Sequence, residues 1–151
     1  MPDDHYLQPG WFTRKVFNPL IAASTRAGLS IWGSRILGVR GRVSGETRET
    51  PVNVLTLDGT RYLVAPRGVT QWVRNLRAAR EGVLRLGRRE ESFRAVEIAD
   101  PAKVPLLRAY LRRWKLEVGV FFDGVGPDSD DEEILRIAPN HPVFKIEPIA
   151  R

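Results

Sequence analysis

Two glycine-containing turns carry the residue types in this chain that are best suited to holding an anion. One occupies residues 41–48 (Gly-Arg-Val-Ser-Gly-Glu-Thr-Arg), and the other occupies residues 65–68 (Ala-Pro-Arg-Gly) and leads into the predicted helix at 70–80. Glycine lets main-chain N–H groups approach a ligand, and a helix start favours negative charge. Arginine adds a planar, permanently charged group that matches phosphate and carboxylate. A single predicted hairpin separates the two turns, so we interpret them as adjacent walls of a cradle for a phosphorylated cofactor.

The composition excludes several other kinds of chemistry. The 151 residues include no cysteine, which rules out disulfides, thiolate zinc sites and cysteine nucleophiles. The only two histidines, His5 and His141, are far apart in sequence and have no carboxylate pattern around them. We therefore expect no metal site.

The charge balance favours an anionic partner. The formal net charge is +6, which suits a phosphorylated ligand, a membrane surface or nucleic acid. The aromatic residues fall mainly on predicted helical core faces rather than between arginines on a sheet, so we expect no nucleic acid partner. No apolar run reaches membrane-spanning length and no signal peptide pattern occurs, which predicts a cytoplasmic protein.

The spacing of apolar residues predicts six short strands and several helices. The strands are expected at 39–43, 48–57, 61–65, 82–87, 91–98 and 143–149. Asp58-Gly59 is a strong hairpin signal. Asp100-Pro101 is typical of a helix start, and Ser129-x-x-Glu132 matches a capping box before another helix. Because hairpins join most of the strands, we predict an α+β, mainly β fold: an antiparallel split β-barrel with peripheral helices.

We expect a single domain over residues 1–151, with an N-terminal arm and helical segment at 1–35 and the barrel with its helices at 36–151. Residues 11–37 show helix-like spacing of apolar side chains. We interpret this segment as a helix packed over the barrel. The alternative is peripheral contact with a membrane, because aromatic and basic residues are mixed there.

The order of the motifs over residues 36–98 resembles the deazaflavin-dependent nitroreductase family, a group of small split β-barrel proteins. The resemblance is carried by residues 41–45, Arg48, Pro51, the Asp58-Gly59 turn, residues 65–68 and residues 72–76. It implies an oxidoreductase that uses the reduced form of coenzyme F420, an 8-hydroxy-5-deazaflavin, to reduce a quinone, nitroaromatic or activated enone. The sequence departs from the family pattern at Val43, where lysine is usual, and at Pro66-Arg67, where Ser-Lys is usual.

The resemblance also assigns residues to the cofactor. Arg42 and Arg48 are expected to bind its acidic tail, and Thr50 and Asn53 to reach the ribityl chain or phosphate. The predicted cofactor-binding residues are Arg42, Ser44, Gly45, Arg48, Thr50, Asn53, Val64, Ala65, Pro66, Arg67, Gly68, Trp72 and Asn75. Trp72 also fits a core position, and Asn75 is expected to cap the helix or to hydrogen-bond the loop.

Assignments for the substrate are fewer. The predicted pocket residues are Trp32, Trp114, Phe121 and Phe122, with residues 119–126 as a candidate lid. The proton donor is expected to be Tyr110, Tyr62 or water, with packing as the other role for Tyr110 and Trp114.

Three other functions remain open at this level. One is a carrier protein that binds deazaflavin or a lipid without turnover. Another is an FMN-dependent oxidoreductase on the same barrel, and the third is a basic nucleic-acid binder. We expect the partner to be a small-molecule substrate and the protein to be a monomer or a homodimer.

Overall fold

A computed structural model of the protein describes residues 34–149, apart from the side chains of residues 115–117. Within this range the chain forms a closed barrel in which all neighbouring strands are antiparallel, in the order β1-β2-β3-β6-β5-β4. The strands are β1 (Ser34–Arg40), β2 (Thr47–Leu57), β3 (Thr60–Val64), β4 (Glu81–Leu86), β5 (Arg89–Glu97) and β6 (Val143–Pro148). The α-helices are α1 (Gln71–Ala79), α2 (Val104–Val118) and α3 (Asp131–Ile137). This confirms the predicted antiparallel barrel.

The hairpin between β2 and β3 forms where the sequence predicts it. Asp58 and Gly59 have φ values of 53° and 80°, both in the left-handed region. Asparagine, aspartate and glycine are the residues that adopt this conformation at lowest cost, which is why Asp-Gly selects a tight hairpin. The turn sets the register that pairs Leu57 with Thr60 and Val54 with Leu63.

Two apolar clusters lie on opposite sides of the barrel wall. Alternate residues of a strand face opposite sides, so Val54 joins the interior cluster while Leu55 joins an outer one. The interior cluster also contains Val73 and Leu76 of α1, which therefore closes one end of the barrel. The outer cluster packs α2 and α3 against β2, β3 and β6, as expected for peripheral helices.

The prediction for the first strand was wrong in its boundaries. We placed it at 39–43 and treated residues up to 37 as helical, but β1 runs from Ser34 to Arg40, and residues 41–46 form a turn. Leu37 is 0% exposed in the interior cluster, and its neighbour Ile36 is 1% exposed on the other face. Because neighbouring residues on both faces of the strand are buried, the period-two alternation that marks a half-buried strand is absent.

Two helix starts also differ from the prediction. Asp100 does not cap α2, because residues Asp100–Lys103 form a 3₁₀ turn before it. The Asp100 carboxylate instead forms an ion pair with buried Lys103, with Oδ1 2.8 Å from Nζ. Lys103 also donates to the carbonyl of Ala138 at 2.8 Å, which ties this turn to the end of α3. The cap of α3 is Asp130, not Ser129, since Asp130 Oδ1 accepts from the N–H of Glu133 while Ser129 Oγ accepts from Gly126.

The barrel end opposite α1 is closed by ionic groups. Arg61 and Glu91 form a two-point ion pair, with Nη1 to Oε1 at 2.7 Å. The hydrogen bonds from Arg61 hold the pKa of Glu91 below its usual value. Burial lowers the pKa of Arg35, and the nearby charges of Arg61 and Arg89 lower it further. These groups lie at the far end of the strands from the two glycine turns, so they belong to the scaffold.

Candidate cofactor-binding site

The turn at residues 41–46 is held together by its own main chain. Gly41 N donates to Glu46 O at 2.7 Å, and Gly45 N donates to Gly41 O at 2.9 Å. A Cβ on Gly41 would lie 2.9 Å from Ser44 Oγ and 3.1 Å from Glu46 O, while Gly45 has φ of 79°. Both glycines are therefore required by the turn itself. Ser44 Oγ accepts from Glu46 N at 3.1 Å.

Arg42 connects this turn to α1. Asn75, which is 4% exposed, accepts at Oδ1 from the main-chain N of Arg42 at 3.1 Å and from its Nη1 at 2.8 Å. Gln71 Oε1 accepts from the same Nη1 at 2.9 Å. Asn75 thus hydrogen-bonds the turn at 41–46, while its contact with a cofactor stays a prediction. The turn and the helix thus form one unit with the Arg42 guanidinium at their junction.

Replacing Asn75 by alanine is expected to lower the free energy of unfolding by about 1–3 kcal/mol, because it leaves the part-buried N–H of Arg42 without an acceptor. Asn75→Asp keeps the acceptor and faces a cation, so it should stay closer to the parent protein. Urea denaturation of both variants measures the difference. Equal losses for the two variants would mean that the Oδ1 acceptor is not what stabilises this junction.

The second turn presents the start of α1. Gly68 has φ of 86° and donates to Ala65 O at 3.3 Å. Thr70 is the N-cap residue, but its side chain makes no capping bond, and its Oγ1 is buried with no hydrogen-bond partner among the residues described. The first turn of α1 contains no acidic residue. Free N–H groups at a helix start favour an anion, so this end of α1 can accept one.

Arg48, at the start of β2, is exposed, and its side chain has neither a hydrogen bond nor an ion pair within residues 34–149. Arg67 lies half-buried in the second turn. At the tip of the first turn, Val43 is 91% exposed where the resembled family has lysine. The turn end of the barrel is therefore rich in arginine, with Arg48 available for a ligand.

The other predicted cofactor residues are placed in different ways. Thr50 pairs with Leu37 and Asn53 with Ser34, and their odd spacing puts them on opposite faces of β2. Trp72 packs its ring 6.1 Å from that of Phe144, as expected for a core role. Val64 and Ala65 are 4% and 1% exposed, and Pro66 has no N–H. Their contacts with a cofactor remain predictions.

The predicted substrate residues lie mainly in the outer cluster. Trp114, Phe121 and Phe122 are 1%, 3% and 0% exposed, and Tyr110 is 2% exposed between the Trp114 and Phe122 rings. Residues 119–122 form a 3₁₀ turn that buries both phenylalanines. Tyr62 is half-buried against the same cluster. Trp32 lies outside the described residues. Contact of these side chains with a substrate stays a prediction.

A groove of about 640 Å³ begins beside Arg48 and runs along the outer face of β1. Its apolar lining comes from Ile36, Gly38 and Val83, and its charged lining includes Arg85 and Glu49, which form an ion pair. An apolar floor with a charged rim next to an available arginine suits a planar, partly charged molecule.

Sequence reasoning overlooked one residue near the second turn. His141 is 0% exposed, and its Nδ1 lies 3.2 Å from the carbonyl oxygen of Ala65. Since the two residues lie 76 positions apart, no local pattern could indicate the contact.

In residues 34–149 no group of three histidine or acidic side chains could hold a metal ion. None of the helices in this part of the chain has the length and hydrophobicity of a membrane-spanning segment.

The closed antiparallel barrel is a fold that this chain shares with several solved structures. An F420-H2 dependent reductase (FDR-A) superposes with a TM-score of 0.55 at 16% identity, covering 76% of this chain and 94% of that one. The general stress protein 26 of Bacillus anthracis gives 0.52 at 14% identity, covering 85% of each chain. A domain-swapped dimer gives 0.57 at 15% identity, covering 91% of this chain and 97% of that one. These likenesses establish the fold.

The family is established from sequence. Residues 15–117, more than half of the chain, match the F420H2-dependent quinone reductase family, and the protein belongs to that family. It is thus an oxidoreductase that uses reduced F420, as the resemblance implied. No curated protein matches the sequence. Membrane contact through the N-terminal segment remains a prediction, because that segment lies outside the described residues. The choice between monomer and homodimer and the single-domain boundaries also remain predictions.

Proposed function

We propose that this reductase binds F420 at the turn end of its barrel and reduces a quinone by two electrons. The observation that carries the proposal is the bond from Arg42 of the first glycine turn to Asn75 of α1, which brings that turn against the helix that the second turn leads into. The exposed Arg48 at the start of β2, and Thr70 Oγ1, which is buried without a partner among the described residues, support it. An acidic cofactor tail fits this set, because Arg48 and Arg67 carry positive charge and Thr70 Oγ1 and main-chain N–H groups can donate hydrogen bonds.

Each part of the cradle has a role in this proposal. Arg48 and Arg67 bind phosphate or carboxylate oxygens of the cofactor. The Thr70 hydroxyl, which has no hydrogen-bond partner in the described part of the chain, donates to the cofactor as well. Gly45 and Gly68 keep the main chain free of side-chain bulk. Arg42 attaches the first turn to α1 through its bonds to Gln71 and Asn75. Because these bonds fix its guanidinium, Arg42 contributes positive charge to the site from a fixed position.

The reaction requires little of the protein beyond binding, orientation and exclusion of water. The reduced deazaflavin supplies a hydride when bound, and one proton completes the conversion of a quinone to a quinol. We propose that this proton comes from water, because Tyr110 is 2% exposed and enclosed by aromatic rings. We assign the quinone to the groove along β1, whose apolar floor adjoins Arg48.

Fluorescence titration of the purified protein with oxidised F420, FMN and NADPH tests the cofactor. We expect saturable binding of F420 and none of comparable strength for FMN. Tighter binding of FMN would instead support the FMN-dependent alternative. Steady-state assays with F420H2 and menadione, a nitroaromatic or cyclohexenone then test the substrate class. Binding of F420 without reduction of any of these acceptors would overturn the proposal in favour of a carrier.

A further inference from the structure

The second turn is held from behind by a buried histidine. His141 follows the 3₁₀ turn Ala138–Asn140 and precedes β6, and its Nδ1 lies 3.2 Å from Ala65 O. A carbonyl oxygen can only accept, so Nδ1 carries the hydrogen and donates it. Ala65 is the first residue of the turn that presents Arg67 and Gly68. His141 therefore acts on the backbone of this turn.

Further contacts fix the histidine and the turn together. The imidazole stacks on Phe122, with ring centroids 4.0 Å apart and an interplanar angle of 11°. Pro142, the next residue, accepts from Ala65 N at 2.9 Å. Both polar groups of Ala65 are thus bonded to the His141-Pro142 pair. Gly68 N donates to the same Ala65 oxygen at 3.3 Å, so the histidine shares its acceptor with the bond that closes the turn.

We infer that His141 is a positioning residue that sets the conformation of residues 65–68 and so the placement of Arg67 for the cofactor. The inference rests on the proposed function for its consequence in binding. Its structural part, control of the turn by one side-chain donor, stands independently. The opposing interpretation is that His141 only fills space beside Phe122.

Two substitutions separate the hydrogen bond from the packing. Asparagine places its side-chain N–H close to where Nδ1 lies in histidine, so His141→Asn keeps a donor for Ala65 O but loses the stacked ring. His141→Phe keeps an aromatic ring against Phe122 but has no donor. Leu107→Ala is the matched control, because Leu107 is 0% exposed in the same outer cluster and belongs to α2 rather than to the turn.

Binding of oxidised F420 is measured by fluorescence, and stability by thermal unfolding. We expect His141→Phe to weaken binding about tenfold, the scale of one lost hydrogen bond, and His141→Asn to stay within about twofold of the parent. Leu107→Ala should lower the unfolding temperature without weakening binding. Equal weakening by His141→Asn and His141→Phe, or weakening by Leu107→Ala as large as that by His141→Phe, would overturn the inference.

Amide hydrogen exchange without cofactor gives a second measurement. We expect exchange at Gly68 to be faster in His141→Phe than in the parent and in His141→Asn. If amide exchange at Gly68 is the same in His141→Phe as in the parent, His141 does not control the conformation of the turn, and the inference is wrong. If the parent itself fails to bind F420, the proposed function fails, and the exchange result still decides whether His141 fixes the turn.

Discussion

Replacing Arg48 by alanine is expected to weaken F420 binding by about 1.5–3 kcal/mol, a loss of roughly 10- to 150-fold in affinity. Arg48 is exposed at the start of β2, beside both the turn at 41–46 and the groove along β1. Its side chain makes no hydrogen bond or ion pair in the described part of the chain, so removing the side chain breaks no polar contact of the scaffold. The whole loss should therefore come from charge-assisted hydrogen bonds to the cofactor.

Two further variants make this result specific. Arg88→Ala removes an exposed arginine from the hairpin between β4 and β5, at the other end of the barrel, and should leave the affinity unchanged. Arg48→Lys keeps the charge but not the planar donor pair, so we expect an intermediate affinity. Titration of F420 fluorescence at constant salt measures all three. If Arg48→Ala and Arg88→Ala weaken F420 binding equally, Arg48 contributes only to the overall positive charge and does not contact the cofactor.

The parts of the fold that the sequence predicts well are those set by neighbouring residues. Asp58-Gly59 specifies a left-handed turn within two residues, and the strands on either side follow from it. The first glycine turn is similar, because Gly41 and Gly45 meet steric demands that arise inside the turn. Because hairpins join most neighbouring strands, they restrict the topology to an antiparallel sheet. In the structure this sheet closes into a barrel.

The errors arise where distant segments decide the outcome. Ile36 and Leu37 are both buried, one on each face of β1, so their sequence carries no alternation to identify the strand. The Asp100 carboxylate pairs with Lys103, which in turn bonds Ala138 near the end of α3. A capping residue and an ion-paired residue look identical in sequence until the partner is in place.

The candidate site shows the same division. Its glycines, its arginines and the start of α1 could be predicted as a set, because their residue types suit an anion. The attachment of Arg42 to Gln71 and Asn75 was only partly foreseen, and the contact of His141 with Ala65 was not. These bonds join residues at least 29 positions apart, and only the closed barrel brings them together.

Truncation of Phe93 to alanine is expected to have the largest effect on stability, a loss of about 3–5 kcal/mol in the free energy of unfolding. Phe93 lies on β5, is 0% exposed and belongs to the interior cluster. Its ring fills space that the neighbouring strand leaves open at Gly82, so truncation leaves a cavity inside a closed wall. Urea denaturation measures the loss, and Val96→Ala, at a position 40% exposed on the same strand, should change stability by no more than about 0.5 kcal/mol.

The pairing of Phe93 with Gly82 makes a double-mutant cycle informative. A Cβ on Gly82 would lie 2.9 Å from Phe93 Cζ and 3.0 Å from Cε1, so Gly82→Ala alone should destabilise the barrel by overpacking. In the Phe93→Ala background the ring is gone, and the added methyl occupies part of the cavity. The same Cβ still lies 3.1 Å from Gly38 O, so part of the cost remains. We expect the double variant to lose less stability than the sum of the single variants, by about 0.5–3 kcal/mol. Strict additivity would show that the glycine is required by the Gly38 backbone rather than by the ring.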